Sequence, residues 1–225
     1  MYGTKAHELF DLLKARGIVG AQGTVNVELL GTKVIINDKG ATGNLIQEWL
    51  GQWMDLNGFY RRGNPNTQKF PDFYLSEAED VDLLEVKTFD YGKSPNFDVA
   101  QFDAYVRSIR KDAYRLDADY LILGYSLSNG IIQINGIWLK KIWELCCAST
   151  EYAIRTNVKQ AKIHNIRPYN FKSMSAGFRP FASRPVFLNA IRDTLEKYLQ
   201  NKEYADQWLE EVEQSYAAFA TAQPE

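Results

Sequence analysis

The chain has 225 residues, 45% of them hydrophobic, a formal net charge of -2, two cysteines and two histidines. That length and apolar content support one sizeable core. The first residues, MYGTKAHELF, lack the apolar run of a signal peptide, and no stretch reaches the roughly 18 apolar residues of a membrane span; the expectation is a soluble, cytoplasmic protein with no membrane partner. Cys146 and Cys147 are adjacent, which disfavours an ordinary intramolecular disulfide, and together with His7 and His164 they match no familiar zinc spacing. A metal would therefore need oxygen ligands.

The segment TKAHELFDLLKARG places Ala6, Leu9, Phe10 and Leu13 at helical spacing and stops at Gly17, so a short helix is predicted. TVNVELL and TKVIIN read as strands joined through Gly31, a hairpin. TGNLIQEWLGQWMDLNG follows as an amphipathic helix, with Leu45, Ile46, Trp49, Leu50 and Trp53 on its buried side, Glu48 in its middle and a turn at Asn57-Gly58. FYRR, FPDFYL and LLEVKTF suggest an antiparallel meander of three strands, with an acidic turn before the third. PNFDVAQFDAYVRSIRKDAYRL shows helical periodicity through Phe97, Ala100, Phe102, Tyr105, Val106 and Ile109. DYLILGYSL is a nearly continuous apolar strand of the kind buried on both faces, followed past Asn129-Gly130 by IIQINGIWL. A helix between two strands implies a crossover, so the strand at 119–125 should run parallel to that at 83–89. Residues 151–185 read as loop-rich, interrupted by Pro168, Gly177, Pro180 and Pro185. VFLNAIRDTLEKYLQ and YADQWLEEVEQSYAAFA close the chain as helices. The fold class is therefore α/β, with a mixed α+β sheet and C-terminal helices, in one domain spanning 1–225: a core over about 42–145 and a C-terminal region over about 146–225.

Charge is unevenly distributed. Residues 151–185 hold seven basic side chains (Arg155, Lys159, Lys162, Arg167, Lys172, Arg179, Arg184) against one acid, Glu151, whereas 186–225 hold eight acids and three bases. A local basic patch on a mildly acidic protein suits a nucleic-acid surface, and equally suits a solvated loop region.

The most informative stretch is FPDFYLSEAEDVDLLEVKTF, residues 70–89. Residues two apart in a strand point the same way, so Glu85 and Lys87 share one face while Val86 points to the other. Asp72, on the neighbouring antiparallel strand, comes within metal-bridging reach of Glu85. Two carboxylates held together repel unless a proton or cation lies between them, and Mg2+ prefers such oxygen ligands. Beside a metal that holds a phosphate oxygen and a water, Lys87 would neutralise charge at the phosphate and orient or help deprotonate the attacking water. The acid-x-Lys tripeptide says little by itself; its weight comes from the strand-like context and from a Pro-Asp pair in the preceding strand.

Pro71-Asp72 followed by Glu85-Val86-Lys87 resembles the signature of the PD-(D/E)XK nuclease superfamily, which includes most type II restriction endonucleases. The resemblance covers the middle 80 to 100 residues. It implies a restriction-endonuclease-like core of helix, three-stranded meander, helix and strand, the order read above for 42–125. By the same resemblance Asp72 and Glu85 are metal ligands, the Val86 carbonyl adds another, and Lys87 is the catalytic lysine. Glu48 matches a helix glutamate that reaches the metal directly or through water in many members. Gln101 and Tyr105 resemble a Gln-xxx-Tyr pattern found in recombination-type members, where four-residue spacing puts both on one helix face.

Base reading calls for amides and guanidinium groups on segments that enter a groove. RRGNPNTQK offers Asn64, Asn66, Gln68 and Lys69, and HNIRPYNFKSMSAGFRPFASR offers Arg167, Asn170, Lys172, Arg179 and Arg184; Gln101 is added through the family pattern. The set NPNTQ, FPDFYL, LLEVKTF and SPNFDVA is also similar to a small restriction-enzyme subgroup reading an interrupted GGNNCC site, which favours a homodimer. The absence of a phosphate loop, HExxH, CxxC or GxSxG argues against a built-in ATP motor, zinc peptidase, thiol redox enzyme or serine hydrolase. The expected activity is Mg2+-dependent, sequence-specific cleavage of double-stranded DNA, with a cognate DNA methyltransferase as genetic partner. The alternatives are a structure-directed or repair nuclease of the same superfamily, or a DNA-binding module with a nuclease-like fold.

Overall fold

A computed structural model describes residues 4–66, 69–173 and 179–222. In chain order the elements are α1 (Thr4–Ala15), β1 (Gln22–Thr24), β2 (Asn26–Leu29), β3 (Thr32–Ile35), α2 (Lys39–Leu56), β4 (Arg62–Gly63), β5 (Phe73–Tyr74), β6 (Leu83–Asp90), β7 (Ala100–Gln101), α3 (Phe102–Lys111), β8 (Asp119–Ser128), β9 (Ile131–Lys141), α4 (Ile142–Leu145), β10 (Thr156–Lys159), β11 (Lys162–Ile166), α5 (Arg184–Leu199) and α6 (Lys202–Ala222), with a 3-10 turn over Ala113–Asp117. Contacts divide them into two units, residues 1–95 with 119–140 and residues 96–118 with 141–225, so 96–118 group with the C-terminal region rather than with the expected core.

The first unit is organised around a six-stranded mixed sheet of order β1-β9-β8-β6-β5-β4. The meander forms as expected: β4 pairs antiparallel with β5, and β5 with β6. So does the parallel crossover, in which β6 lies beside β8 with Glu85 opposite Tyr120 and Lys87 opposite Ile122. Strand alternation sends Leu84 and Val86 from β6, and Leu121, Leu123 and Tyr125 from β8, into one buried cluster with Ala6, Leu9 and Leu13 of α1 and Ile46, Leu50 and Met54 of α2. Each helix thus contributes one stripe at three- and four-residue spacing.

The inward stripe of α2 keeps Ile46, Leu50 and Trp53 of the expected set but not Leu45 and Trp49. Ile46, Leu50 and Met54 are buried with Thr42, while Leu45 and Trp49 are exposed. The predicted stripe was centred on the bulkiest side chains, but Gly43 sets the rotation: a Cβ on it would lie 2.7 Å from Thr88 Oγ1. That close approach turns the Gly43 side of α2 toward β6 and carries Leu45 and Trp49 outward. Asp38 starts the helix, its carboxylate accepting from Gly40 N–H at 2.7 Å.

The β2-β3 hairpin forms as read, yet as a separate two-stranded sheet whose eight strand residues are all exposed. It is tied at its base to the β8-β9 turn: Val25 N–H donates to Gly130 O at 2.7 Å, and Gly130 N–H to Asn37 Oδ1 at 2.9 Å. Gly130 has φ of +71°, and a Cβ there would lie 2.3 Å from Ile35 Cγ2, so both the turn and the close approach require glycine.

In the second unit, α3 begins at Phe102, seven residues later than the start of the periodic pattern. Residues 97 and 99 are buried, but from extended chain that ends in β7, which pairs with β11. Apolar side chains from an extended run and from a following helix had merged into one apparent periodicity. Trp208 of α6 is fully buried and donates from Nε1 to Val106 O at 3.0 Å, joining α6 to α3. A second departure is the hairpin β10-β11 inside the region read as loops. No described helix is long and apolar enough to cross a membrane.

Candidate active site

Asp72 stands one residue before β5, and the pairing of Phe73 with Leu84 sets it beside the start of the β6 run that carries Glu85. Its carboxylate is held from two directions. Oδ2 accepts from Val86 N–H at 2.7 Å, and Oδ1 accepts from Gln47 Nε2 of α2 at 2.8 Å. Glu85 is 9% exposed; Lys87 Nζ lies 2.8 Å from its Oε1, whereas Oε2 is buried with no hydrogen-bond partner. Strand alternation thus brings Glu85 and Lys87 to one face, and the hairpin register adds Asp72.

Burial raises the pKa of both acids. For Asp72, desolvation outweighs the Val86 N–H, the Lys87 charge and the Gln47 amide, which all favour the carboxylate. For Glu85, desolvation again dominates, Lys87 opposes it, and the nearby Asp72 charge pushes it further up. A half-buried and a buried carboxyl with raised pKa values and one unsatisfied acceptor oxygen form a site that a hard cation would relieve. Asp72 and Glu85 are the carboxylates that the fold sets beside each other there, with the Val86 N–H between them.

Glu48 is exposed and does not join this pair directly: among the described residues no three His, Cys, Asp or Glu side chains cluster to hold a metal. It lines a small cavity of about 90 Å³ together with Gln47, Arg61, Asn64, Lys69 and Asp72. Gln47 is the helix residue that reaches Asp72, one position from the acid the sequence favoured. Its signal was present, since Gln47, Leu50, Gly51 and Met54 fall at i, i+3, i+4 and i+7 on the sheet-facing side. Arg61 was also missed. It forms two hydrogen bonds to Asp55, of 2.9 and 2.6 Å, lies over the Phe73 ring and closes against Gly51, where a Cβ would come within 3.0 Å of the guanidinium.

The groups expected to meet DNA are unequally free. Asn64 organises its own loop, accepting from Asn66 N–H at 3.0 Å and donating to Lys69 O at 3.3 Å. Asn66 and Lys69 are exposed beside it; Gln68 lies outside the described residues. In the second unit, Gln101 does not share a helix face with Tyr105. It is the N-cap of α3, its side-chain oxygen accepting from Ala104 N–H at 2.5 Å, and Tyr105 is a core residue. Arg167 is paired with Asp98 and Asn96. Arg184 is bound to Asp117 at 3.2 Å and lies 3.4 Å from the centroid of the Tyr216 ring, which itself donates to Asp117. These two arginines hold the unit together, as the run of basic residues could not reveal. Asn170 is partly buried, and Lys172 and Arg179 are exposed on either side of 174–178, which lie outside the described residues.

A helix-backed meander with a parallel crossover strand, carrying Asp72, Glu85 and Lys87 side by side, has the core and motif of a PD-(D/E)XK nuclease. Residues 3–223 match the family described as NgoBV restriction endonuclease, and the chain belongs to that family of type II restriction enzymes. It is 36% identical over 215 residues to the type II restriction enzyme NlaIV of Neisseria lactamica, covering 94% of this chain and 88% of that one. It is 34% identical over 160 residues to the type II restriction enzyme NgoBV of Neisseria gonorrhoeae, covering 69% and 90%. The solved NlaIV restriction endonuclease superposes with a TM-score of 0.90 at 33% identity, covering 100% of this chain and 93% of that one. The protein is thus a site-specific endonuclease, of a family that is generally metal-dependent. These relatives support the restriction reading over the repair-nuclease and inactive-module alternatives.

Two outcomes follow from the electrostatics. Unfolded Asp72 and Glu85 ionise near the ordinary carboxylate values while the folded, metal-free protein retains those protons, so stability falls as pH rises above about 4 until the folded groups ionise. In denaturant titrations across pH 4–7, Glu85→Gln loses less stability than wild type over that interval. Gln47→Leu removes a hydrogen bond that favours the Asp72 carboxylate. In the variant, the acidic limb of the pH–rate profile moves to higher pH, with kcat reduced and the KM for DNA nearly unchanged.

Proposed function

We propose that the enzyme cleaves double-stranded DNA by Mg2+-dependent hydrolysis of phosphodiesters, through direct attack by water, at Asp72, Glu85 and Lys87. The observation that carries this reading is the acidic pair itself: half-buried Asp72 fixed by Val86 N–H and Gln47, and buried Glu85 fixed at one oxygen by Lys87 with the other unsatisfied. Mg2+, held by Asp72, Glu85 and the Val86 carbonyl, with Glu48 contributing through water, would supply Lewis-acid polarisation of the phosphate and a more acidic water. The protein's own groups supply position and proton handling. Glu85 keeps the Lys87 ammonium in place, and Lys87 offsets charge developing on the phosphate and orients the attacking water. The water oxygen bonds to phosphorus, a proton passes to the surrounding basic groups, the P–O ester bond breaks and the leaving oxygen is protonated. Burial of the pair keeps bulk water from screening these interactions.

Asn64, Asn66 and Lys69, beside the catalytic strands, Gln68 of the same sequence run, and Asn170, Lys172 and Arg179 are the DNA contacts we propose. Arg167 and Arg184 support the second unit, and Gln101 caps α3. We propose a recognition site of the interrupted GGNNCC kind. A restriction enzyme acts where host DNA lies, so a cytoplasmic location and a cognate methyltransferase accompany the reading.

We also propose a homodimer, because a two-fold site with two strands to cut calls for two copies of the catalytic network. A second copy suits a feature of the first unit. The β2-β3 hairpin exposes Val27, Leu29, Leu30, Val34 and Ile35, with Leu30 97% exposed at its tip, although an isolated hairpin is marginal in water. Close to its base lies an apolar groove of about 320 Å³ lined by Val25, Leu45, Trp49 and Ile132. The chain thus carries both a projecting apolar tip and an apolar groove, as a self-complementary contact requires.

Linear plasmid DNA incubated with Mg2+ is expected to give discrete fragments. Glu85→Ala and Lys87→Ala should each reduce the rate by at least about 100- to 1,000-fold. Smeared products, or unchanged rates in both variants, would rule the reading out. For the assembly, light scattering is expected to give twice the chain mass for wild type and one chain mass for Leu30→Asp/Ile35→Asp.

A further inference from the structure

No acid occurs between Glu151 and Asp193, a run that contains Arg155, Lys159, Lys162, Arg167, Lys172, Arg179, Arg184 and Arg192. The fold spends several of these charges internally. Arg155 donates to Pro168 O at 3.2 Å, Arg167 is held by Asp98 and Asn96, Arg184 by Asp117, and Arg192 by Asp206 and Glu196. Lys159 and Lys162 are different. Both are exposed, they flank the turn of the β10-β11 hairpin, and neither side chain has an ion pair or hydrogen bond among the described residues.

The hairpin has a fixed root and a bare tip. At the root, Ile163 and Ile166 are buried, β11 pairs with β7 through Asn165-Gln101 and Ile166-Ala100, and Arg167 N–H donates to Arg155 O at 3.0 Å. At the tip, Lys159, Gln160, Ala161 and Lys162 are all exposed, as is His164. Strand alternation separates the buried Ile163 from its neighbours Lys162 and His164, which share the outer face. The turn is also unusual: Gln160 and Ala161 have φ of +50° and +60°, a two-residue turn that strongly favours Asn-Gly. The chain accepts this conformation with a long amide side chain where glycine or asparagine would be easier, and so displays Gln160 between two lysines. A two-stranded ribbon is one of the few elements that enters the DNA major groove, where an amide both donates to and accepts from base edges.

We propose that the β10-β11 hairpin is a DNA-reading ribbon, with Lys159 and Lys162 on phosphates and Gln160 on base edges. The inference rests on the double-stranded DNA substrate and extends recognition to residues outside the expected loops. It adds the positive charge of the ribbon tip to the contacts proposed at Lys172 and Arg179, while Arg155, Arg167, Arg184 and Arg192 serve packing.

Duplex binding, measured by fluorescence anisotropy in EDTA over 50–200 mM salt, tests the lysines. Lys159→Ala/Lys162→Ala is expected to make the slope of log K against log salt shallower by about 2, as the loss of two phosphate contacts requires. The control pair Lys111→Ala/Lys202→Ala removes the same charge elsewhere, at exposed positions outside both hairpins. Thermal midpoints of both doubles should match wild type, since all four side chains are exposed or external. Gln160→Ala is expected to keep the wild-type salt slope while broadening the set of sequences at cut ends when a randomised duplex library is digested with Mg2+. The ribbon assignment is overturned if the hairpin pair alters the slope no more than the control pair does. An unchanged set of cut ends with Gln160→Ala overturns the base-reading role. A wild-type protein that cuts DNA while the hairpin variants behave as controls sinks only this inference; one that neither binds nor cuts duplex DNA sinks the endonuclease reading with it.

Discussion

The hydrogen bond from Val86 N–H to Asp72 Oδ2, 2.7 Å long, is the contact on which the arrangement of the acidic pair depends. It closes the β5-β6 turn from inside the sheet, and it uses a backbone donor that lies between Glu85 and Lys87. A carboxylate buried beside another carboxylate is strained electrostatically, and each must be held by directed donors for the fold to retain it. Asp72 receives a backbone and an amide donor; Glu85 receives one ammonium. The remaining oxygen of Glu85 is buried and unsatisfied, and it is the position that the proposed chemistry uses.

Helix α2 serves that arrangement through its smallest and most polar residues. Gly43 lets the helix approach Thr88 of β6, and Gln47, one turn further on, then reaches Asp72. The apolar stripe of Ile46, Leu50 and Met54 holds the helix rotation that makes this possible. Packing and catalytic placement here are one constraint: rotation that buried Leu45 and Trp49 instead would carry the Gln47 amide away from the carboxylate.

How much of this could be read in advance follows from the range of each signal. The meander, the parallel crossover and the Asp72-Glu85-Lys87 constellation were legible because alternation along a strand and the hairpin turn are local rules that fix which side chains share a face. The rotation of α2 was not, because it depends on a contact between Gly43 and Thr88, far apart in sequence. Gln101 looked like an active-site amide by spacing, yet its position at the end of an extended segment made it a helix cap. Arg167 and Arg184 looked like DNA contacts by charge, yet each finds a carboxylate from a distant segment. The β10-β11 hairpin escaped notice because its strands are polar and its turn lacks the Asn-Gly signal.

The separation of charge within the second unit has a consequence for how the enzyme behaves outside its reaction. An acid-free stretch from 152 to 192 is followed in sequence by the strongly acidic α6. The chain's isoelectric point of about 5.8 is an average over these two regions and describes neither. Retention on a heparin or phosphate matrix is governed by the field at the basic segment and not by the average. The enzyme should therefore be held by polyanions at a pH where its net charge is already negative, and released by salt rather than by a change of pH.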